Sequence, residues 1–196
     1  MNILVGITGS VATTVIHKLV MQLIVNYKVE AVATESSRYF WADDMPRFNI
    51  WTEHSEWPGL KYQKNQTVKH IELRDWADMM VIAPITANTL AKIANGICDN
   101  LLTSVARAWI LDRPLVIAPA MNTQMWLHPV TANHLAKLNS WYNLFVVPPA
   151  NKDLACGEQG VGALADISEI VQCVKSIEGG NYNEYRQKDY SDWRAD

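Results

Sequence analysis

The chain has 196 residues, 49% of them hydrophobic and 19% charged, with a formal net charge of −3. That length supports one domain with a full core and excludes two full-sized ones, and the composition excludes a disordered chain, a collagen-like chain and a disulfide scaffold. Lys and Arg are scattered through an acidic chain, so no basic footprint for nucleic acid or an anionic membrane is present.

Met1-Asn2-Ile3-Leu4-Val5 enters an apolar run with no basic n-region and no small-residue cleavage site, so no signal peptide is expected. The longest mainly apolar stretch, Val15 to Val25, is broken by His17, Lys18 and Gln22 and cannot span a bilayer. Cys98, Cys156 and Cys173 are odd in number and far apart, which points to free thiols in a reducing, cytoplasmic setting. His17, His54, His128 and His134 lack ligand-like spacing, and no metal site is assigned.

Five short runs, Ile3–Ile7, Val29–Ala33, Met79–Ala83, Leu115–Ala118 and Leu144–Val147, are rich in Val and Ile and do not alternate with polar residues. Buried parallel strands read in this way. Between them, Ser10 to Asn26 sets Val11, Val15, Leu19 and Leu23 at intervals of four, which predicts one apolar helix face. Thr86 to Asn95 and Asn100 to Ile110 carry Leu90–Ile93 and Leu101–Val105–Trp109 at helical spacing. The alternation predicts an α/β fold with a doubly wound, Rossmann-like or flavodoxin-like parallel sheet, as a single domain over residues 1–177. Trp41 to Lys69 is too long and polar for a plain connection and is expected to cover a site. Glu178 to Asp196 has no period and is expected to form a mobile tail.

In such sheets ligands sit beyond the carboxyl ends of the strands, where helix N-termini present amide hydrogens. Gly6-Ile7-Thr8-Gly9-Ser10 stands at the first of these turns and matches neither G-x-G-x-x-G nor a P-loop. Thr34-Glu35-Ser36-Ser37 and Pro84-Ile85-Thr86-Ala87-Asn88-Thr89 follow two further strands. Hydroxyls at three strand ends suit a phosphorylated, ribityl- or ribose-bearing ligand; the same residues also serve as ordinary N-caps.

More specific motifs follow: His70-Ile71-Glu72-Leu73, Gly96-Ile97-Cys98-Asp99-Asn100-Leu101-Leu102, Pro119-Ala120-Met121-Asn122-Thr123-Gln124-Met125-Trp126, Leu154-Ala155-Cys156-Gly157 and Gly160-Val161-Gly162-Ala163. Together they resemble the homo-oligomeric flavin-containing cysteine decarboxylases, and among these the phosphopantothenoylcysteine decarboxylases, from about Asn2 to Lys175. The resemblance implies an FMN-dependent enzyme of coenzyme A biosynthesis acting on 4′-phospho-N-pantothenoylcysteine. It implies FMN contacts at Gly9, Ser10, Val11, Thr34, Glu35, Ser36, Thr86, Ala87, Asn88, Thr89 and Ala120. It makes His70 the base, Asn122 the residue on the substrate carboxylate and Cys156 the proton donor, with Lys152, Asp153 and Ala155 beside the substrate. A homotrimer, or a higher assembly of trimers, is also implied, fed by a separate synthetase.

The same residues have plainer readings. His70 begins an apparent helix over Ile71 to Ala77, which would set it at that helix's positive end, a setting suited to a neutral base. Asn122 is also a natural N-cap, and a lone cysteine is more often a small buried hydrophobe, the reading kept for Cys98 and Cys173. Met121, Met125 and Trp126 read as packing that fixes Asn122, with Trp126 at a subunit contact, and the eight tryptophans suggest aromatic interface anchors. Two positions depart from the family's usual basic residues: Asp153 follows Lys152, and Asp75 follows Arg74. Two alternatives therefore stand beside the first reading, a decarboxylase of a peptidyl C-terminal cysteine or other aminothiol acid, and a non-enzymatic flavoprotein regulator of a protein phosphatase.

Overall fold

In the computed structural model, which describes residues 1–41, 49–57, 59, 61, 64–153, 159–181 and 183–186, the first strand is β1 (Asn2–Ile7). A 3-10 turn (Val11–Val15) leads into α1 (Ile16–Leu23) and β2 (Lys28–Ala33). A second 3-10 turn (Glu35–Phe40), β3 (Ile50–Trp51), α2 (Glu53–Glu56) and α3 (Lys69–Trp76) follow. Then come β4 (Met79–Ile85), α4 (Ala87–Ala94), α5 (Leu101–Ala108) and β5 (Pro114–Pro119). Next are α6 (Thr123–Leu127), α7 (Pro129–Trp141), β6 (Asn143–Val146), the strands β7 (Ala150–Asp153) and β8 (Gln159–Ala163), α8 (Ile167–Glu178) and a third 3-10 turn (Asn183–Tyr185).

Six strands pair in parallel in the order β3-β2-β1-β4-β5-β6, with Ile7 opposite Ala33 and Gly6 opposite Ile82. The chain winds outward from β1 on one side and then on the other, so the direction reverses between β1 and β4. Strand alternation supplies two cores. Ile3, Val5 and Ile7 face α1 and α8, packing with Leu19, Leu23 and Val174; Leu4 faces the other way, towards Leu73, Leu102, Val105 and Leu138. Burying each such Leu or Ile side chain stabilises the fold by about 1.5–3 kcal/mol. At Gly6 an added Cβ would come within 2.7 Å of Leu102 Cδ1, so α5 packs directly on β1.

The doubly wound parallel sheet agrees with the sequence reading, and four local features differ from it. The buried face of the first helix is Ile16, Leu19, Val20 and Leu23, while Val11 is 48% exposed. Residues 11–15 wind as a 3-10 turn, with fewer residues per turn, and this shifts the phase of the apolar stripe. The segment from 41 to 69 contributes β3 to the sheet and a short helix, α2. The antiparallel pair β7–β8 was not anticipated, because its Gly-rich sequence has no apolar alternation. Finally, Tyr185 packs against the first core, and the Tyr27 hydroxyl donates to Glu178 at 2.8 Å, so part of the expected tail is docked. Burial, with Glu178 and Glu184 beside them, pushes the Tyr27 and Tyr185 phenols up to about 12. Among the described residues, no helix is long and apolar enough to cross a membrane.

Candidate active site

The loops after β1 and β4 meet where the sheet reverses direction. Thr8 Oγ1 donates to the Pro84 carbonyl at 2.7 Å and accepts the Thr86 N–H at 3.0 Å. Thr13 Oγ1 in turn donates to the Thr8 carbonyl at 2.8 Å. Ser10 caps the 3-10 turn, its Oγ accepting the Ala12 N–H at 3.2 Å. The second loop lies against the first: a Cβ on Gly9 would sit 2.5 Å from Ser36 Oγ, which is itself 3.1 Å from Thr34 Oγ1. Thr86 Oγ1 accepts the Thr89 N–H at 3.3 Å, which leaves the Ala87 and Asn88 amides at the open N-terminus of α4. Ala120 is buried beside this edge, its N–H donating to the Ile85 carbonyl at 3.1 Å. The structure thus gathers Gly9, Ser10, Thr34, Ser36, Thr86, Ala87, Asn88, Thr89 and Ala120 along one sheet edge, with Val11 exposed at its rim. The Glu35 carboxylate turns aside to Arg38, and its backbone N–H donates to Glu53 at 3.3 Å.

This edge can hold an anion through backbone amides and hydroxyls, since the missing Cβ at Gly9 brings the two loops into contact. Gly9→Ala is therefore expected to weaken an anionic ligand here by roughly ten- to a hundredfold, the loss of one charge-assisted hydrogen bond. A fluorescence titration with FMN checks this; unchanged affinity would show that the close approach at Gly9 has no part in binding.

His70 is the second residue of α3, as expected, and its side chain is 25% exposed. The Val68 N-cap offers no side-chain acceptor to this helix start. Glu56, at the end of α2, supplies one instead: its Oε2 accepts the His70 backbone N–H at 3.1 Å, and its Oε1 meets His70 Nδ1 in a short contact. A buried carboxylate therefore lies beside the imidazole, in addition to the positive helix end that the sequence predicts. The other end of α3 is closed by Arg113, which donates to the Arg74 and Ala77 carbonyls at 2.8 and 2.7 Å. Behind α2, Trp51 Nε1 donates to Glu30 at 2.7 Å, and the Lys69 ammonium lies 3.9 Å from the centre of the Trp51 ring. Sequence reading missed Glu56; in the polar run Glu53-His54-Ser55-Glu56 no local signal marks it out, and only the Trp57 that follows hints at burial.

Asn122 caps α6, its Oδ1 accepting the Met125 N–H at 2.8 Å. The cap orients the amide, so the Nδ2 hydrogens remain as donors, the polarity a substrate carboxylate needs. The Met121 N–H donates to the Gly162 carbonyl at 2.9 Å, which lays β8 on the loop carrying Asn122. Lys152 and Asp153 lie on β7; Lys152 pairs with Asp166, the N-cap of α8, and Asp153 stands opposite Gln159. Ala155 and Cys156 lie outside the described residues. A cavity of about 350 Å³, lined by Ala87, Leu90, Asn122, Met125, Val130 and His134, joins the α4 N-terminus to the Asn122 cap. Burial, with Lys137 nearby, lowers the pKa of His134.

Three packing expectations change. Trp126 is 5% exposed and belongs to the second core, so it is unsuited to a subunit contact, while Met125 is 53% exposed. Trp109 is also core, whereas Trp57 and Trp141 are exposed. Cys98 is exposed, not buried, because it sits in the turn beyond α4. Cys173 is buried as expected, and that burial pushes its thiol up to about 12, which leaves it inert at neutral pH.

A family model described as Flavoprotein matches residues 1–178. The chain belongs to the flavoprotein family. Within it, the chain is 44% identical to the phosphopantothenoylcysteine decarboxylase of Mus musculus over 178 residues, which cover 90% of this chain and 86% of that protein. Among solved structures, a cysteine-to-serine mutant of PPC decarboxylase complexed with pantothenoylaminoethenethiol matches with a TM-score of 0.87 and 42% identity, covering 91% of this chain and 98% of that one. The FMN binding protein AtHal3 matches with a TM-score of 0.84 and 42% identity, over 91% of this chain and 97% of that one.

Proposed function

We propose that this flavoprotein is an FMN-dependent decarboxylase converting 4′-phospho-N-pantothenoylcysteine to 4′-phosphopantetheine and carbon dioxide in coenzyme A biosynthesis. The observation that carries the reading is the likeness, across nearly the whole chain, to a PPC decarboxylase complexed with pantothenoylaminoethenethiol. An enethiol of that kind is what a cysteine conjugate becomes after oxidation and loss of its carboxylate.

The residues at the sheet edge fit FMN. Gly9 leaves no Cβ between the first two loops, and hydroxyls of Ser10, Ser36 and Thr86 with the α4 amides suit its phosphate and ribityl groups. Bound FMN supplies two-electron acceptance and return at the substrate's thiol-bearing carbon, the electron sink that decarboxylation of a cysteine carboxylate otherwise lacks. The chain does the rest. His70 accepts the substrate proton, and the Asn122 amide holds the carboxylate without a full positive charge that would retain it. Cys156 returns a proton to the decarboxylated carbon, since a thiol near neutral pKa is a fitting donor. The reading extends to a cytoplasmic homotrimer fed by a separate synthetase, as the family resemblance implies.

The test is anaerobic incubation of the flavin-loaded protein with 4′-phospho-N-pantothenoylcysteine, followed by mass. Wild type is expected to release carbon dioxide and form 4′-phosphopantetheine. Cys156→Ser is expected to stop at a product lighter by two hydrogens, the unreduced enethiol. No turnover by flavin-loaded wild type would sink the assignment and favour another cysteine conjugate or a binding role.

A further inference from the structure

Glu56 is a buried carboxylate, 7% exposed, that faces a catalytic candidate and has no assigned task. Both of its oxygens are committed to one residue: Oε2 to the His70 backbone N–H at 3.1 Å and Oε1 to the ring at Nδ1. An ionised carboxylate accepts hydrogen bonds and donates none, so the hydrogen in the ring contact belongs to Nδ1. In the neutral ring the free lone pair is then on Nε2. The carboxylate is itself held in place. Ser55 Oγ accepts the Thr52 N–H at 3.2 Å at the start of α2, and Trp51 just before it is fixed by Glu30.

We propose that Glu56 is a positioning residue for the decarboxylase reaction, holding the His70 imidazole in the Nδ1–H tautomer so that Nε2 takes the substrate proton. This rests on the proposed function, in which His70 is the base. Glu56 touches neither substrate nor cofactor in this scheme and acts through His70. The double contact also fixes the ring relative to the helix start, because the backbone and the side chain of one residue are gripped by one carboxylate.

Glu56→Gln separates this role from simple filling of space. The amide has nearly the same shape but offers one acceptor and one NH2 donor, whereas His70 presents two donors to it. When the amide oxygen takes the backbone N–H, its NH2 faces Nδ1, which must then be unprotonated. The proton moves to Nε2, and the base is lost. Glu56→Asp keeps two acceptors on a shorter stem and should restore part of the function.

The experiment has two readouts on the FMN-loaded protein. The first is the His70 tautomer from 15N-histidine spectra without substrate, with the resonance assigned by its loss in His70→Asn. The second is kcat and KM with 4′-phospho-N-pantothenoylcysteine. Wild type is expected to show Nδ1–H. Glu56→Gln should show Nε2–H, with kcat lower by roughly a hundredfold or more and KM little changed, as for loss of a correctly held general base. Glu56→Asp should recover Nδ1–H and part of kcat. An Nε2–H tautomer in wild type would overturn the proposal. So would Glu56→Gln retaining both Nδ1–H and wild-type kcat, even with a lowered Tm, since Glu56 would then be structural. The wild-type and Glu56→Asp spectra decide the matter even when Glu56→Gln does not fold. If wild type fails to turn over this substrate, the functional reading falls separately, and the tautomer still judges the Glu56–His70 pair.

Discussion

His70→Asn is expected to abolish product formation while leaving the protein folded and able to bind FMN. A positioned general base contributes about 10²–10⁴ in rate, and an asparagine amide cannot accept a proton at neutral pH. The fold should survive because the backbone N–H of residue 70 still reaches Glu56 Oε2, and the new amide can donate to Glu56 Oε1. An alanine at this position would be a poorer test. It would leave one oxygen of a buried carboxylate without its donor, at a cost of about 1–3 kcal/mol. The measurement is product mass per bound flavin, with Tm followed in parallel. Product at the wild-type rate from a fully loaded variant would remove His70 from the chemistry.

Gly162→Ala is expected to be the most damaging single-methyl change in the hairpin. Gly162 has φ +143°, a conformation that L side chains rarely adopt, and an added Cβ would lie 2.2 Å from the Met121 carbonyl oxygen. The backbone cannot yield there without losing the Met121 N–H bond to the Gly162 carbonyl, 2.9 Å long. Strain and the lost bond together cost about 2–4 kcal/mol, and each kcal/mol lowers Tm by roughly 2–4 °C at this chain length. Because Asn122 follows Met121 directly, the loop that presents its amide loses its brace, and KM for the substrate should rise as well. Gly180→Ala is the control: its φ is also positive, at +73°, but nothing lies within 4 Å of the added carbon. That variant should lose only about 1–2 kcal/mol, from left-handed backbone strain alone, and keep its kinetics. Equal Tm and equal KM for the two variants would show that β8 does not support the Asn122 loop.

Much of the fold was legible in the residues because strands buried on both faces announce themselves. Ile3–Ile7 and Met79–Ala83 are unbroken apolar runs, and the structure places β1 and β4 over them at the centre of the sheet. The motif around Asn122 was legible for a related reason, since an asparagine after a strand-ending proline is a cap whatever else it does. The hairpin β7–β8 was not, because Gly160 and Gly162 are wanted for close approach to Thr123 and Met121, and closeness leaves no apolar period. Nor was the burial of Trp126 or the exposure of Cys98, since both depend on how α6 and the turn beyond α4 pack against other elements.

By itself the sequence determined the layered α/β architecture and the strand ends that carry hydroxyls, while His70, Asn122 and Cys156 stood out as candidates only through the family resemblance of their motifs. Tertiary structure alone decided who meets whom. It joined Thr8 to Pro84 and Thr86 across the reversal of the sheet, and Glu56 to His70 across 14 residues of chain. The difference is physical. Burial patterns sum over many residues and survive local irregularity, whereas a hydrogen bond requires two atoms within about 3 Å and correctly aimed. That condition is met through the paths of loops and the packing of whole helices, which no local run of residues encodes.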